Sequence, residues 1–118
     1  MPAPERGRII WAEVPDLQGR NPKRRPLIIL TATEEIQEDG PVQCVSISSQ
    51  LDQAPAELQV ELPWHAQGHP RTGLRERCSA VCNWLVELPV SAIESYGGTV
   101  PGKQLLQILE KVNLLPGE

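Results

Sequence analysis

The chain is predicted to fold as a mainly β (α+β) domain, a small antiparallel barrel carrying a helix at its C-terminal end. Three observations predict this. Short apolar runs with β-branched residues and period-two alternation recur between Ile9 and Leu88, the mark of strands covered on one or both faces. Segments rich in Gly, Pro and Asn separate those runs, as turns do. Only after Lys103 does the apolar spacing change to that of a helix.

The elements follow in order. Residues 1–6 are expected to be a frayed, disordered tail, and residues 7–118 a single domain. Ile9, Ile10, Trp11, Ala12 and Val14 read as a first strand. Pro15 to Pro26 contains Gly19, Asn21 and Pro22 and is too broken for a helix, so it reads as a long polar connection. Leu27–Thr33 is predicted as the second strand, and Glu34–Pro41 as an acidic turn closed by Asp39-Gly40. Val42–Ser49 places Val42 and Cys44 on one side and Val45 and Ile47 on the other, which suits a barrel strand buried on both faces. Leu58, Val60 and Leu62 alternate with Gln59 and Glu61, a half-exposed strand. Trp64–Arg71 reads as a loop and Ala80–Leu88 as a fifth strand. Ser91-Ala92-Ile93-Glu94 has capping-box spacing and predicts a short helix ending at Gly97-Gly98. Leu105, Leu106, Ile108, Leu109 and Val112 predict a helix from Lys103 to Leu115, ended by Pro116-Gly117.

Charge narrows the function classes. The net charge is −4, which argues against capture of nucleic acid by bulk charge. The balance is uneven: residues 1–35 hold six Lys/Arg against five Asp/Glu, residues 36–118 five against ten. Arg20, Lys23, Arg24 and Arg25 lie within six positions free of acids. A local basic rim on an acidic body suits a small anionic site better than a long nucleic-acid track. No apolar run approaches the roughly 18 residues of a membrane span, and the N-terminus lacks the layout of a secretory signal. Three cysteines do not imply a disulfide framework. A cytoplasmic protein without membrane association is expected.

The sequence Lys23-Arg24-Arg25-Pro26-Leu27-Ile28-Ile29-Leu30 joins three cations to an apolar strand. A buried strand beginning at Pro26 would hold Arg25 at the rim of the barrel, where a guanidinium can grip an anion. Ser46-Ile47-Ser48-Ser49-Gln50 ends another strand in hydroxyls, which can donate to a phosphate. His65, His69, Cys78 and Cys82 are ligand types for zinc. Their spacing is poor, because two thiols four residues apart on one strand are separated by roughly 13 Å. No metal site or cofactor is expected. No Ser-His-Asp elbow, phosphate loop or dinucleotide fingerprint occurs.

Taken together, these segments resemble the MazF/PemK/Kid family of toxin endoribonucleases over about residues 7–113. Gly7-Arg8-Ile9-Ile10-Trp11-Ala12-Glu13-Val14 is similar to the family's opening strand. Lys23-Arg24-Arg25-Pro26 resembles its first loop with the hallmark Arg-Pro, and Ile47-Ser48-Ser49-Gln50 its Ile/Cys-Thr-x-Gln segment. Thr72-Gly73-Leu74 resembles the turn before its last core strand. The resemblance implies an SH3-like barrel acting as a homodimer, a cognate antitoxin protein, and metal-independent cleavage of single-stranded RNA by the ribose 2′-hydroxyl. It implies Arg25 and Ser48 as catalytic residues. Arg20, Lys23, Arg24, Ser49, Gln50 and Trp84 are the expected substrate-binding set; Trp84 reads either as a platform for base stacking or as a tryptophan of the core or of a dimer interface. Three positions depart from the family: Ser48 replaces a threonine, Cys78 a serine, and Asn83-Trp84-Leu85-Val86 lacks the arginine that follows an acidic or amide-bearing pair. The last departure favours a second reading, an SH3-like binding module of the same ancestry that does not cut.

Overall fold

Six strands form one antiparallel sheet: β1 (Arg8–Val14), β2 (Lys23–Ile29), β3 (Pro41–Ser48), β4 (Gln59–Glu61), β5 (Ser79–Pro89) and β6 (Ser95–Thr99). A single helix, α1 (Gly102–Asn113), follows. The computed structural model describes residues 3–52 and 54–113. The strand order is β4-β5-β3-β2-β1-β6, and the sheet curls into a half-barrel. The mainly β class with a C-terminal helix is therefore the one expected.

Period-two alternation builds two apolar layers. Ile9, Ile28, Val45 and Ile47 face the layer that also takes Val60, Leu62, Leu74, Ala80 and Cys82. Helix α1 closes that layer with Ile108, fully buried, and with Leu105, Leu109 and Val112. Ile10, Ala12, Val14, Leu27, Ile29, Val42 and Cys44 point the other way, packed by Ile36, Val90, Ile93 and Tyr96. Each buried Ile, Leu or Val contributes about 1.5–3 kcal/mol relative to exposure, so a sheet apolar on both faces is stable only with both faces covered.

The structure differs from the sequence reading at several places. β2 begins at Lys23, not after Pro26, and pairs Lys23, Arg24 and Arg25 with Val14, Glu13 and Ala12. A backbone ladder at a solvated rim needs no apolar side chains, so the cations hid this half of the strand. The expected short helix at Ser91 is instead a 3-10 turn, Val90–Ala92, followed by β6. Glu94 does not close a capping box; its carboxylate lies 3.3 Å from Arg24 Nε. Leu58 ends a 3-10 turn, Ala56–Leu58, and β4 is only three residues. Arg6, expected in the tail, is held by Thr33 and by the Leu30 carbonyl. The expected helix end at Leu115-Pro116-Gly117 lies outside the described residues.

β6 needs glycine for a packing reason. A Cβ on Gly98 would sit 1.9 Å from the Arg71 carbonyl oxygen. That carbonyl accepts the Thr99 N–H at 2.9 Å, so the 71–73 loop satisfies the outer edge of β6 and also places Gly73, Leu74 and Arg75.

Candidate active site

The site begins where two strands part. β2 and β3 pair through Ile29↔Cys44, Ile28↔Val45 and Leu27↔Ser46, and there the ladder ends. Leu30 N–H donates to Gln43 in β3, whereas the Ile29 carbonyl accepts from Gly7 on the β1 side. Even-numbered β2 residues thus direct their backbone groups toward β3. Pro26 belongs to that set and has no N–H to give. The missing donor falls at the first step beyond the last pair. Continued by two residues, the register would set Arg25 opposite Ser48. Instead β3 stays with β5 through Ser46↔Val81, Ile47↔Ala80 and Ser48↔Ser79. The opened fork is the mouth of a cleft of about 690 Å³ lined by Arg25, Pro26, Ile47, Ser48, Ser49 and Gln50 among others.

β5 is irregular at the same level. Val45 pairs with Leu85 but Ser46 with Val81, so Cys82, Asn83 and Trp84 have no partner in β3. Bulges of this kind re-aim side chains beside sites. Trp84 is 7% exposed and lines the cleft.

Three contacts anchor Arg25. Its Nε donates to the Val14 carbonyl at 3.2 Å and its Nη2 to the Asn21 carbonyl at 3.1 Å. Its guanidinium carbon lies 5.2 Å from the centre of the Trp84 ring. Two of the five N–H donors are thus engaged, and three are left. Asn21 has φ 52°, a conformation asparagine tolerates. The loop that presents its carbonyl is fastened by Asp16, whose carboxylate accepts from Arg20 N–H at 2.8 Å, Gln18 N–H at 3.0 Å and Asn21 Nδ2 at 3.1 Å. These bonds, that from Arg20 foremost, hold the Asp16 carboxyl below its ordinary pKa.

Ser48 Oγ accepts the Gln50 N–H at 3.0 Å. This leaves the hydroxyl proton free to donate into the cleft. Lys23 and Arg24 also line it, but Arg24 is occupied. It lies 5.0 Å over the Trp11 ring, donates to Ser95 Oγ and pairs with Glu94. Arg20 does not line the cleft; its contribution there is the backbone N–H given to Asp16. Arg25 and Ser48 line the same cleft, and a guanidinium fork and a hydroxyl are both donor types suited to a phosphate.

Several cleft residues escaped the sequence reading: Trp11, Asp16, Asn21, Arg75 and Glu76. Arg75 and Glu76 follow the Thr72-Gly73-Leu74 turn, which Thr72 Oγ1 fixes by donating to the Pro63 carbonyl at 2.9 Å and accepting from Leu74 N–H at 3.1 Å. That turn was legible, but the direction it sends the next two side chains was not. Arg75 and Glu76 make no hydrogen bond or ion pair among the described residues, whereas Arg77 pairs with Glu61.

The His/Cys set does not assemble. His65 and His69 use Nδ1 to accept loop N–H groups of Gln67 and Arg71, while Cys78 and Cys82 are buried in the layer under α1. Among the described residues no group of three or more His, Cys, Asp or Glu converges as a metal site. Nor is any helix among them long and apolar enough to cross a membrane. Burial pushes the Cys44 thiol up to about 12 and Cys78 to about 11, and raises Cys82 as well, so none is suited to act as a nucleophile at neutral pH.

The chain has relatives in sequence and in fold. A family model described as PemK-like, MazF-like toxin of type II toxin–antitoxin system matches residues 5–115. No curated protein matches the chain. Among solved structures, MazF (form I) from Deinococcus radiodurans superposes with a TM-score of 0.72 at 17% identity, covering 96% of each chain. An endoribonuclease from a mycobacterial species gives 0.67 at 17% identity over 100% of this chain and 98% of that one. A mycobacterial endoribonuclease in complex with its cognate antitoxin gives 0.67 at 16% identity over 98% and 100%.

Proposed function

The chain belongs to the PemK-like, MazF-like toxins of type II toxin–antitoxin systems, and from that premise we propose that it is the toxin component, an endoribonuclease cutting single-stranded RNA. One observation carries the reading. Arg25 and Ser48 face the same cleft across the fork between β2 and β3, two register steps beyond the last β2–β3 pair.

The chemistry follows from what these groups can do. The 2′-oxygen of a ribose attacks the adjacent phosphorus, and the bond from phosphorus to the next 5′-oxygen breaks. The products are a 2′,3′-cyclic phosphate and a 5′-hydroxyl. Charge grows on the phosphate oxygens in the transition state, and fixed donors aimed there lower the barrier. Arg25 supplies N–H donors and a full positive charge; Ser48 supplies a hydroxyl. The 2′ proton needs an acceptor, and Glu76 is the cleft carboxylate without another partner among the described residues. The leaving 5′-oxygen takes a proton from water, while Arg25 keeps its charge on the phosphate oxygens. RNA is required because DNA lacks the nucleophile.

Lys23 and Arg75 supply positive charge for neighbouring phosphates, and Ser49 and Gln50 polar contacts at the rim. We assign cleavage to these side chains without a metal ion. The cognate antitoxin is a separate protein that blocks the cleft, and the working form is a homodimer in the cytoplasm. The binding-module reading drew on the missing arginine after Trp84; Arg75, lining the cleft from another position, supports cleavage instead. Expression of the chain and of Arg25→Ala in bacteria tests the proposal. Growth arrest with fragmented RNA for the former alone is expected; equal growth and intact RNA in both would refute it.

A further inference from the structure

We infer that Trp84 is a positioning residue for Arg25, holding its guanidinium plane toward the phosphate rather than stacking on a base. This rests on reading Arg25 as the group that meets the scissile phosphate.

Three observations lead there. The β5 irregularity leaves Cys82, Asn83 and Trp84 unpaired beside the last β2–β3 pair. The indole it carries is 7% exposed, too covered to offer an open face to a base. The Arg25 guanidinium lies 5.2 Å over that ring. A guanidinium needs more than two contacts to be fixed, because two hydrogen bonds along one edge still let the plane tip. The Val14 and Asn21 carbonyls hold that edge, and the ring supports the plane. Tryptophan offers the strongest cation–π face among the side chains. The free donors of Arg25 are aimed by this aromatic support.

The test compares Trp84→Met, an apolar filler without a ring, with Trp84→Phe, which keeps an aromatic face. On a fluorogenic RNA oligonucleotide, Trp84→Met is expected to lower kcat about tenfold with KM within about twofold, while Trp84→Phe stays near the wild type. A raised KM with unchanged kcat, or equal losses in both variants, would overturn the inference. A second measurement needs no activity and leaves Trp84 in place. In 15N-labelled free protein, the Arg25 Nε–H resonance, assigned by its loss in Arg25→Lys, is expected to be shifted by the ring current and slow to exchange. A resonance at the position and exchange rate of solvated arginine would overturn the positioning role. Absence of any RNA cleavage by the wild type would count against the proposed function, while the resonance still decides the placement of Arg25.

Discussion

Replacing Arg25 by lysine keeps the charge of the site and removes its geometry. The guanidinium spans two carbonyls, Val14 at 3.2 Å and Asn21 at 3.1 Å, and lies over Trp84 while keeping three N–H donors free. An ammonium is a compact point charge on a flexible stem. It cannot bridge both carbonyls, lie flat on the indole and still present a fork. Loss of one preorganised donor to a developing oxyanion costs about 10²–10³ in kcat, or about 2.7–4 kcal/mol. Arg25→Lys is therefore expected to fall by about that factor with a small change in KM, since attraction to the ground-state phosphate survives. Arg25 is half-buried, so the lost bonds should cost only about 1–2 kcal/mol of stability, a fall in Tm of roughly 4–8 °C. Continuous cleavage of a doubly labelled RNA oligonucleotide, with thermal unfolding of the same samples, measures both. A lysine variant within threefold of wild-type kcat would show that charge alone matters and that the anchored geometry does not.

Ser48→Ala should lower kcat by about tenfold to a hundredfold, the loss of one donor, whereas Ser48→Thr should retain activity because the hydroxyl is kept and its χ1 is stiffer; kinetics of the two variants decide this. Gly98→Ala is expected to destabilise by about 3 kcal/mol, because its Cβ would lie 1.9 Å from the Arg71 carbonyl; thermal unfolding unchanged within 2 °C, against the expected fall of about 10 °C, would refute the close approach. Stability should fall at alkaline pH. The folded thiols titrate at about 12 for Cys44 and about 11 for Cys78, raised from 9.0. The unfolded chain therefore releases these protons first, and stability present below pH 9 is lost as pH rises toward the folded values. Denaturant titrations from pH 8 to 11 check the direction.

Much of the fold was legible because alternation and burial agree. Val42 and Cys44 against Val45 and Ile47 were assigned to opposite faces, and they enter opposite layers. β6 was not legible. Ser95-Tyr96-Gly97-Gly98-Thr99 has no alternation, because the close passage of the Arg71 carbonyl, not a side-chain pattern, determines what fits there. The nearby Ser91-x-x-Glu94 spacing satisfied a local rule, but Glu94 is drawn to Arg24, which only the tertiary fold brings within 3.3 Å. At the site, Arg25 and Ser48 stood out through their neighbours, Pro26 and the strand-end serines. That both line one cleft follows from where the β2–β3 ladder stops, and a sequence does not display register. Arg75 and Glu76 were hidden for the same reason: their place in the cleft follows from the Thr72 turn and not from their spacing to Arg25.

The most direct test of the central claim is product analysis on a single-stranded RNA oligonucleotide beside the same oligonucleotide carrying one 2′-deoxy nucleotide at the cleaved position. Mass spectrometry should find a 2′,3′-cyclic phosphate and a 5′-hydroxyl from the first substrate and no cut at that position in the second. Cleavage of the deoxy-substituted strand at the same bond would contradict a mechanism in which the ribose supplies the nucleophile and Arg25 and Ser48 hold the phosphate.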